Sequence, residues 1–158
     1  MTPERIALRS AVPDDLDALA QLWCDGWQIG HRDVVPDSLA RLRTLPSFRA
    51  RLEAGPGDVL TSGPIGRPTC FVMLKDAEID QFYVAPRYVG SGLAADLMAA
   101  TETALRDRGI ARAHLICTEG NDRAMRFYQR HGWVEVSRGD AIVPGPFTLR
   151  VIRFEKSL

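Results

Sequence analysis

The residues richest in chemical content lie between Ile79 and Trp133 of this 158-residue chain. The stretch Pro86-Arg87-Tyr88-Val89-Gly90-Ser91-Gly92-Leu93-Ala94 places two glycines and an alanine where a helix has to begin. Such a turn bares several backbone N–H groups with no side chain in front of them. The helix dipole adds about half a positive charge at the same point, so the turn suits a phosphate or pyrophosphate. A phosphorylated ligand is therefore expected. Gly90-Ser91-Gly92-Leu93-Ala94-Ala95 also fits the relaxed dinucleotide fingerprint G-x-G-x-x-A. Against that reading, Pro86-Arg87-Tyr88 separates the turn from its strand, and no acid stands about 20 residues on to hold a ribose. A glycine turn of purely structural use is the third reading.

The remaining reactive side chains are less telling. Cys24, Cys70 and Cys117 are odd in number, widely spaced and outside any metal-ligand pairing, so no metal is expected and reduced thiols are the simplest reading. A covalent mechanism at Cys117 would need a base beside it. None stands nearby in sequence, so Cys117 reads as core filler and His114 as a strand residue with a hydrogen-bonded partner.

The elements that position these residues follow from periodicity. Ile6–Arg9 reads as a short strand. Pro13-Asp14-Asp15-Leu16 opens a helix, with Leu16, Leu19, Ala20 and Trp23 at helical spacing. A second helix is expected over 36–43, with Leu39 and Leu42 facing inward, and a third near 48–52. Pro64, Gly66 and Pro68 mark a turn between strands 59–61 and 69–74. A strand over 78–84 runs directly into the glycine turn. Leu93, Leu97, Met98 and Leu105 line a helix over 92–108 that Gly109 stops. A strand over 113–117, a helix from Asn121 to Gln129 ended by Gly132, and strands over 133–136 and 147–154 complete the chain. This order implies one α/β domain over residues 1–158, a sheet with helices on its faces.

Composition narrows the function classes. Twenty basic and twenty acidic side chains cancel, so no basic surplus points to nucleic acid. No apolar run approaches the ~20 residues that span a bilayer, so no membrane association is expected. The opening residues lack the pattern of a signal peptide, and with the reduced thiols this points to the cytoplasm.

Val84 to Ala94, followed by Asn121, Phe127-Tyr128 and His131-Gly132-Trp133, resembles the GNAT N-acetyltransferase superfamily over roughly residues 78 to 138. Arg9 followed by Asp14-Asp15 is similar to the family's opening, more loosely. The resemblance implies a single mixed, mostly antiparallel central sheet with splayed middle strands and helices on both faces. It implies acetyl-coenzyme A in the cleft between the splayed strands. The family's phosphate motif falls on Val89, Gly92 and Ala94, within the loop Gly90, Ser91, Gly92, Leu93 and Ala94. Valine replaces the usual glutamine or arginine, and Arg87 is a substitute cation. The backbone of Phe82, Tyr83 and Val84 would pair with the pantetheine, which Asn121 would also contact, unless it only caps its helix.

The same resemblance makes Tyr128 the acid or thiol-positioning group. A phenol with pKa near 10 stays protonated at neutral pH. Glu78 matches the catalytic glutamate of some members, and Asp80 is the second candidate base. Simple alternation would put Glu78, Asp80, Phe82 and Val84 on one strand face. Trp27 and His31, four residues apart in the segment that resembles the acceptor cover, are candidate substrate contacts, and Trp23 reads as core. The implied activity is acetyl transfer to a primary amine of a small molecule or peptide, by direct attack in a ternary complex. The alternative is a non-catalytic acyl-coenzyme A-binding sensor or partner module, motivated by Val89 and the lack of a clear base. The family's C-terminal strands often meet in dimers, so a homodimer is among the expected assemblies.

Overall fold

A computed structural model describes residues 6–55 and 57–158 of the chain. Seven strands form one sheet: β1 (Arg9–Ser10), β2 (Asp58–Ser62), β3 (Cys70–Lys75), β4 (Glu78–Val84), β5 (Arg112–Thr118), β6 (Val134–Val143) and β7 (Phe147–Ser157). Their order is β1-β2-β3-β4-β5-β7-β6, antiparallel throughout except for the parallel pair β4–β5. Five helices flank it: α1 (Leu16–His31), α2 (Asp37–Leu42), α3 (Leu45–Glu53), α4 (Leu93–Asp107) and α5 (Asp122–Arg130). The mixed, mostly antiparallel sheet with splayed middle strands and helices on both faces matches the architecture that the resemblance implies.

Two apolar clusters fix the layers. Leu19, Trp23 and Trp27 of α1 meet Leu39 of α2, Phe48 of α3, and Phe71 and Met73 of β3 on one face. Leu97, Met98 and Leu105 of α4 meet Val72, Leu74, Leu115, Trp133 and Phe154 on the other. With helices on both sides, β3 is buried from Cys70 to Leu74. That explains its unbroken apolar run. Thr44 caps α3, its side chain accepting from the Ser47 N–H at 3.3 Å. Gly109 and Gly132 leave their helices at φ 79° and 86°, conformations that favour glycine. Leu39 is buried as expected, but Leu42, the last residue of six-residue α2, is 49% exposed.

Two edges differ from expectation. The first strand is Arg9–Ser10 rather than Ile6–Arg9, set by pairing with Thr61 and Leu60. β6 runs to Val143, far past residue 136. It is the outermost strand with no fully buried residue, and its middle, Ser137-Arg138-Gly139-Asp140, has no apolar alternation for a sequence to show. Its partner β7 holds it in place instead.

The feature that makes the site is the junction of β4 and β5. They pair only at Glu78↔His114 and Ile79↔Leu115. A register shift against β3, from Met73↔Gln81 to Leu74↔Ile79, places a bulge at Asp80. A bulge increases local twist and bends its strand. Beyond it β4 departs from β5, and a cleft opens between them.

Candidate active site

The cleft encloses about 980 Å³, at the upper end for small-molecule sites. It reaches from the start of α4, through the gap between β4 and β5, to α1, α2, α3 and the β6–β7 hairpin.

At one end, Gly90 and Gly92 take φ of 83° and 89°, and a Cβ at either would meet nothing within 4 Å. The glycines are therefore required by conformation, and open space lies in front of them. The N–H groups of Gly90, Gly92, Ala94 and Ala95 have no protein acceptor among the described residues. Four free donors at the positive end of a fifteen-residue helix make an anion cradle. Ser91 and Leu93 correct the expected set. The Ser91 N–H donates to Tyr88 O at 3.0 Å, and the Leu93 N–H to Ser91 Oγ at 3.3 Å. Both amides are used inside the turn, and neither residue lines the cleft, whereas Val89, Gly90, Gly92 and Ala94 do. Arg87 stacks on Tyr88, 4.9 Å from the ring, and is not part of the wall. Arg123 and Arg130 of α5 line the cleft instead. Sequence reasoning passed over them, although Arg123, Phe127 and Arg130 stand at the i, i+4, i+7 spacing of one helix face.

In the middle, Phe82, Tyr83 and Val84 have lost their β5 neighbour, so that edge of the strand is open toward the cleft. This is the arrangement backbone pairing with an extended ligand needs. Asn121 caps α5, accepting from the Ala124 N–H at 3.4 Å, and also lines the cleft. Tyr128 packs edge-on to Phe82 and Phe127 at 6.4 and 5.6 Å. Burial holds its phenol well above the ordinary value, and nearby Cys117 and Tyr83 add to this. The phenol therefore keeps its proton across the neutral range. Burial likewise pushes the Cys117 thiol up to about 12, with Asp122 contributing. A neutral thiol is a poor nucleophile.

At the far end the strand bulge overturns one expectation. Glu78 and Asp80 do not share a face with Phe82 and Val84. Phe82 and Val84 pack with Ile79 against the α4–α5 cluster, while Tyr83 packs with the α1–α3 cluster. The extra residue at Asp80 shifts the alternation, as a one-residue offset must. Glu78 lies 3.3 Å from His114 Nε2, and Asp80 lies 3.7 Å from Lys75 Nζ. Burial raises the Glu78 carboxyl above the usual range; neighbouring Asp80 adds to this, and His114 and Lys75 oppose it. Trp27 is mostly buried and stacks on His31, the rings 5.3 Å apart and 11° from parallel. Both line the cleft. Burial depresses His31 to about 4, so its imidazole is neutral at pH 7.

No described helix is long and apolar enough to cross a membrane. Residues 57–133 match the acetyltransferase (GNAT) family. An uncharacterized N-acetyltransferase of Mycobacterium tuberculosis is 35% identical over 80 residues, 48% of this chain. The matched part spans about half of that relative's length, 51%. Among solved structures, a GCN5-related N-acetyltransferase from Rhodopseudomonas palustris superposes with a TM-score of 0.76 at 26% identity, covering 100% of this chain and 99% of that one. The PaiA N-acetyltransferase of Thermoplasma acidophilum, solved with coenzyme A, shares the fold at TM-score 0.68 and 16% identity, with both chains fully covered. The splayed β4–β5 junction, the cradle opening α4 and these matches together lead to one assignment: residues 57–133 carry the signature of the GNAT acetyltransferase family, whose fold the whole chain shares.

Proposed function

We propose that this chain transfers an acetyl group from acetyl-coenzyme A to an amine. The observation that carries the reading is the meeting, in one cleft, of four unpartnered amides at the start of α4 and a protonated phenol at Tyr128. The residues present fit the ligand. Gly90, Gly92, Ala94 and Ala95 would hold the diphosphate, with Arg123 and Arg130 as nearby cations, and the open edge of Phe82–Val84 would hold the pantetheine. When bound, the co-substrate supplies an activated acetyl thioester.

The chain's own groups account for the protons. Tyr128 keeps an O–H at the throat of the cleft, where a departing thiolate needs a donor. An amine must be neutral to attack, so a base has to take its proton. Glu78 is the favoured acceptor of that proton, directly or through water, because burial has raised its basicity. Asp80 is held by Lys75, and His31 is too weak a base at a value near 4. The neutral Cys117 gives no support to a covalent enzyme intermediate, so direct attack in a ternary complex is the simpler course.

Calorimetric titration with coenzyme A, beside thiol release with a panel of amines, tests the reading. Gly92→Glu puts bulk and negative charge into the cradle and is expected to weaken coenzyme A binding at least a hundredfold. Retained affinity in that variant sinks the cradle. Tight binding by the wild type with no turnover across a broad panel favours the non-catalytic module.

A further inference from the structure

The acceptor end of the cleft holds two arginines that the acetyl transfer leaves unexplained. Arg43, on the exit of α2, is only 7% exposed, and its Nη2 donates to Pro144 O at 2.7 Å in the β6–β7 hairpin. Arg51, on α3, lies over Trp23 with its guanidinium carbon 4.4 Å from the ring, and 5.8 Å from that of Phe48. Both line the cleft. Neither forms an ion pair with a carboxylate among the described residues.

This is an unusual place to leave two cations. An unpaired surface arginine is solvated and costs nothing, whereas a guanidinium withdrawn from water without a counter-ion is costly. A guanidinium has five N–H donors, and among the described residues one of Arg43's and none of Arg51's is used. Stacking over Trp23 occupies the face of Arg51 and leaves its donor edge free. Burial, and then Arg43, lower the Arg51 value, while Asp80 and Tyr83 act the other way. Two guanidiniums lining one cleft without a carboxylate partner leave positive charge there that a bound anion would offset. The cleft's carboxylates lie beside other partners, Asp80 by Lys75 and Glu78 by His114, and pair with neither arginine. Val35, Leu39 and Leu149 add an apolar wall at the same end.

We propose that the acceptor is an amino acid-like molecule with an apolar side chain, whose carboxylate is received by Arg51 and Arg43 and whose amine faces Glu78. The amine's fate rests on the acetyl-transfer reading; the carboxylate site does not. Polycationic acceptors such as polyamines are disfavoured, since they would bring further positive charge to an unpaired arginine couple.

The test is calorimetric titration of the whole protein, with and without coenzyme A, using L-leucine and L-phenylalanine against leucinamide, 3-methylbutylamine and spermidine. The same panel is run for thiol release. The carboxylated amines are expected to lead their neutral counterparts at least tenfold in affinity and in kcat/KM. Arg51→Met keeps an apolar stem over Trp23 and is expected to erase that lead through KM, with little change in kcat, coenzyme A affinity or melting temperature. Arg51→Lys is expected to restore part of it. Equal or better use of leucinamide or spermidine overturns the proposal, as does a lead that survives Arg51→Met. Coenzyme A binding with no preference for carboxylates sinks the arginine site and spares the acetyl-transfer reading. Carboxylate binding with no coenzyme A binding does the reverse.

Discussion

At the scale of single residues, Tyr128 shows how burial and chemistry combine. Its ring packs against Phe82, Phe127 and Phe154, and the residue lines the cleft. Its proton is retained because an ionised oxygen there would be desolvated. Tyr128→Phe deletes only the donor. If the phenol serves the departing thiolate, kcat is expected to fall about a hundredfold, near the low end for general acid catalysis. Coenzyme A affinity, measured by calorimetry, is expected to stay within twofold. Unchanged turnover removes the phenol from the mechanism. The residues legible in sequence are those whose role is local. Gly90 and Gly92 announce a turn, Asn121 announces a helix start, and Tyr128 sits at a fixed distance from it. Ser91 and Leu93 depart from expectation because the Tyr88 carbonyl takes the Ser91 N–H and the Ser91 hydroxyl takes the Leu93 N–H, the latter a choice that depends on the rotamer. Arg43 and Arg51 are invisible in sequence, because nothing local distinguishes a buried or half-buried arginine from a solvated one.

At the scale of elements, α1 and β4 approach each other closely beside the cleft. A Cβ on Gly26 would lie 2.6 Å from Tyr83 Cδ1, well inside contact distance. Gly26 therefore sets how near the helix carrying Trp27 and His31 comes to the strand edge facing the cleft. Gly26→Ala must push the Tyr83 ring or the helix aside. Overpacking of this kind costs about 1–3 kcal/mol, to be read from urea unfolding, and turnover is expected to drop with it. A variant as stable as the wild type would show that the ring moves freely. The bulge at Asp80 acts at the same scale. It moves Glu78 and Asp80 to the α1–α3 side and starts the divergence of β4 from β5. Alternation read from the sequence runs straight through it, since a bulge has no mark of its own in a strand of ordinary composition.

At the scale of the whole molecule, one buried carboxylate ties the short first strand to the rest. Asp15 is fully buried, receives Arg9 Nη1 and Nη2 at 2.7 and 2.9 Å, and accepts the N–H groups of Val12 and Gly66 at 2.9 Å each. The Arg9 hydrogen bonds hold this carboxyl well below its ordinary value; burial opposes them, and the Val12 and Gly66 amides assist. A depressed folded value means stability that is present above the unfolded value of 3.8 and lost as pH falls through the folded one. Asp15→Asn leaves Arg9 without its counter-ion and is expected to cost about 3 kcal/mol at pH 7. The gap between variant and wild type should narrow in urea titrations at pH 3 and below. A gap that does not change with pH would mean the loss is one of shape rather than charge.

The sequence by itself determined the order and type of the elements, the glycine turn and the aromatic helix beyond it, because these depend on neighbours within a few residues and on burial period. Only the tertiary structure decided which way Glu78 and Asp80 face, which amides remain free, and that Arg43 and Arg51 line one cleft without a carboxylate partner among the described residues. Those facts depend on strand register and on contacts between α2, α3 and the β6–β7 hairpin, as much as 101 residues apart along the chain. Local pattern carries no information across that distance; close packing supplies it.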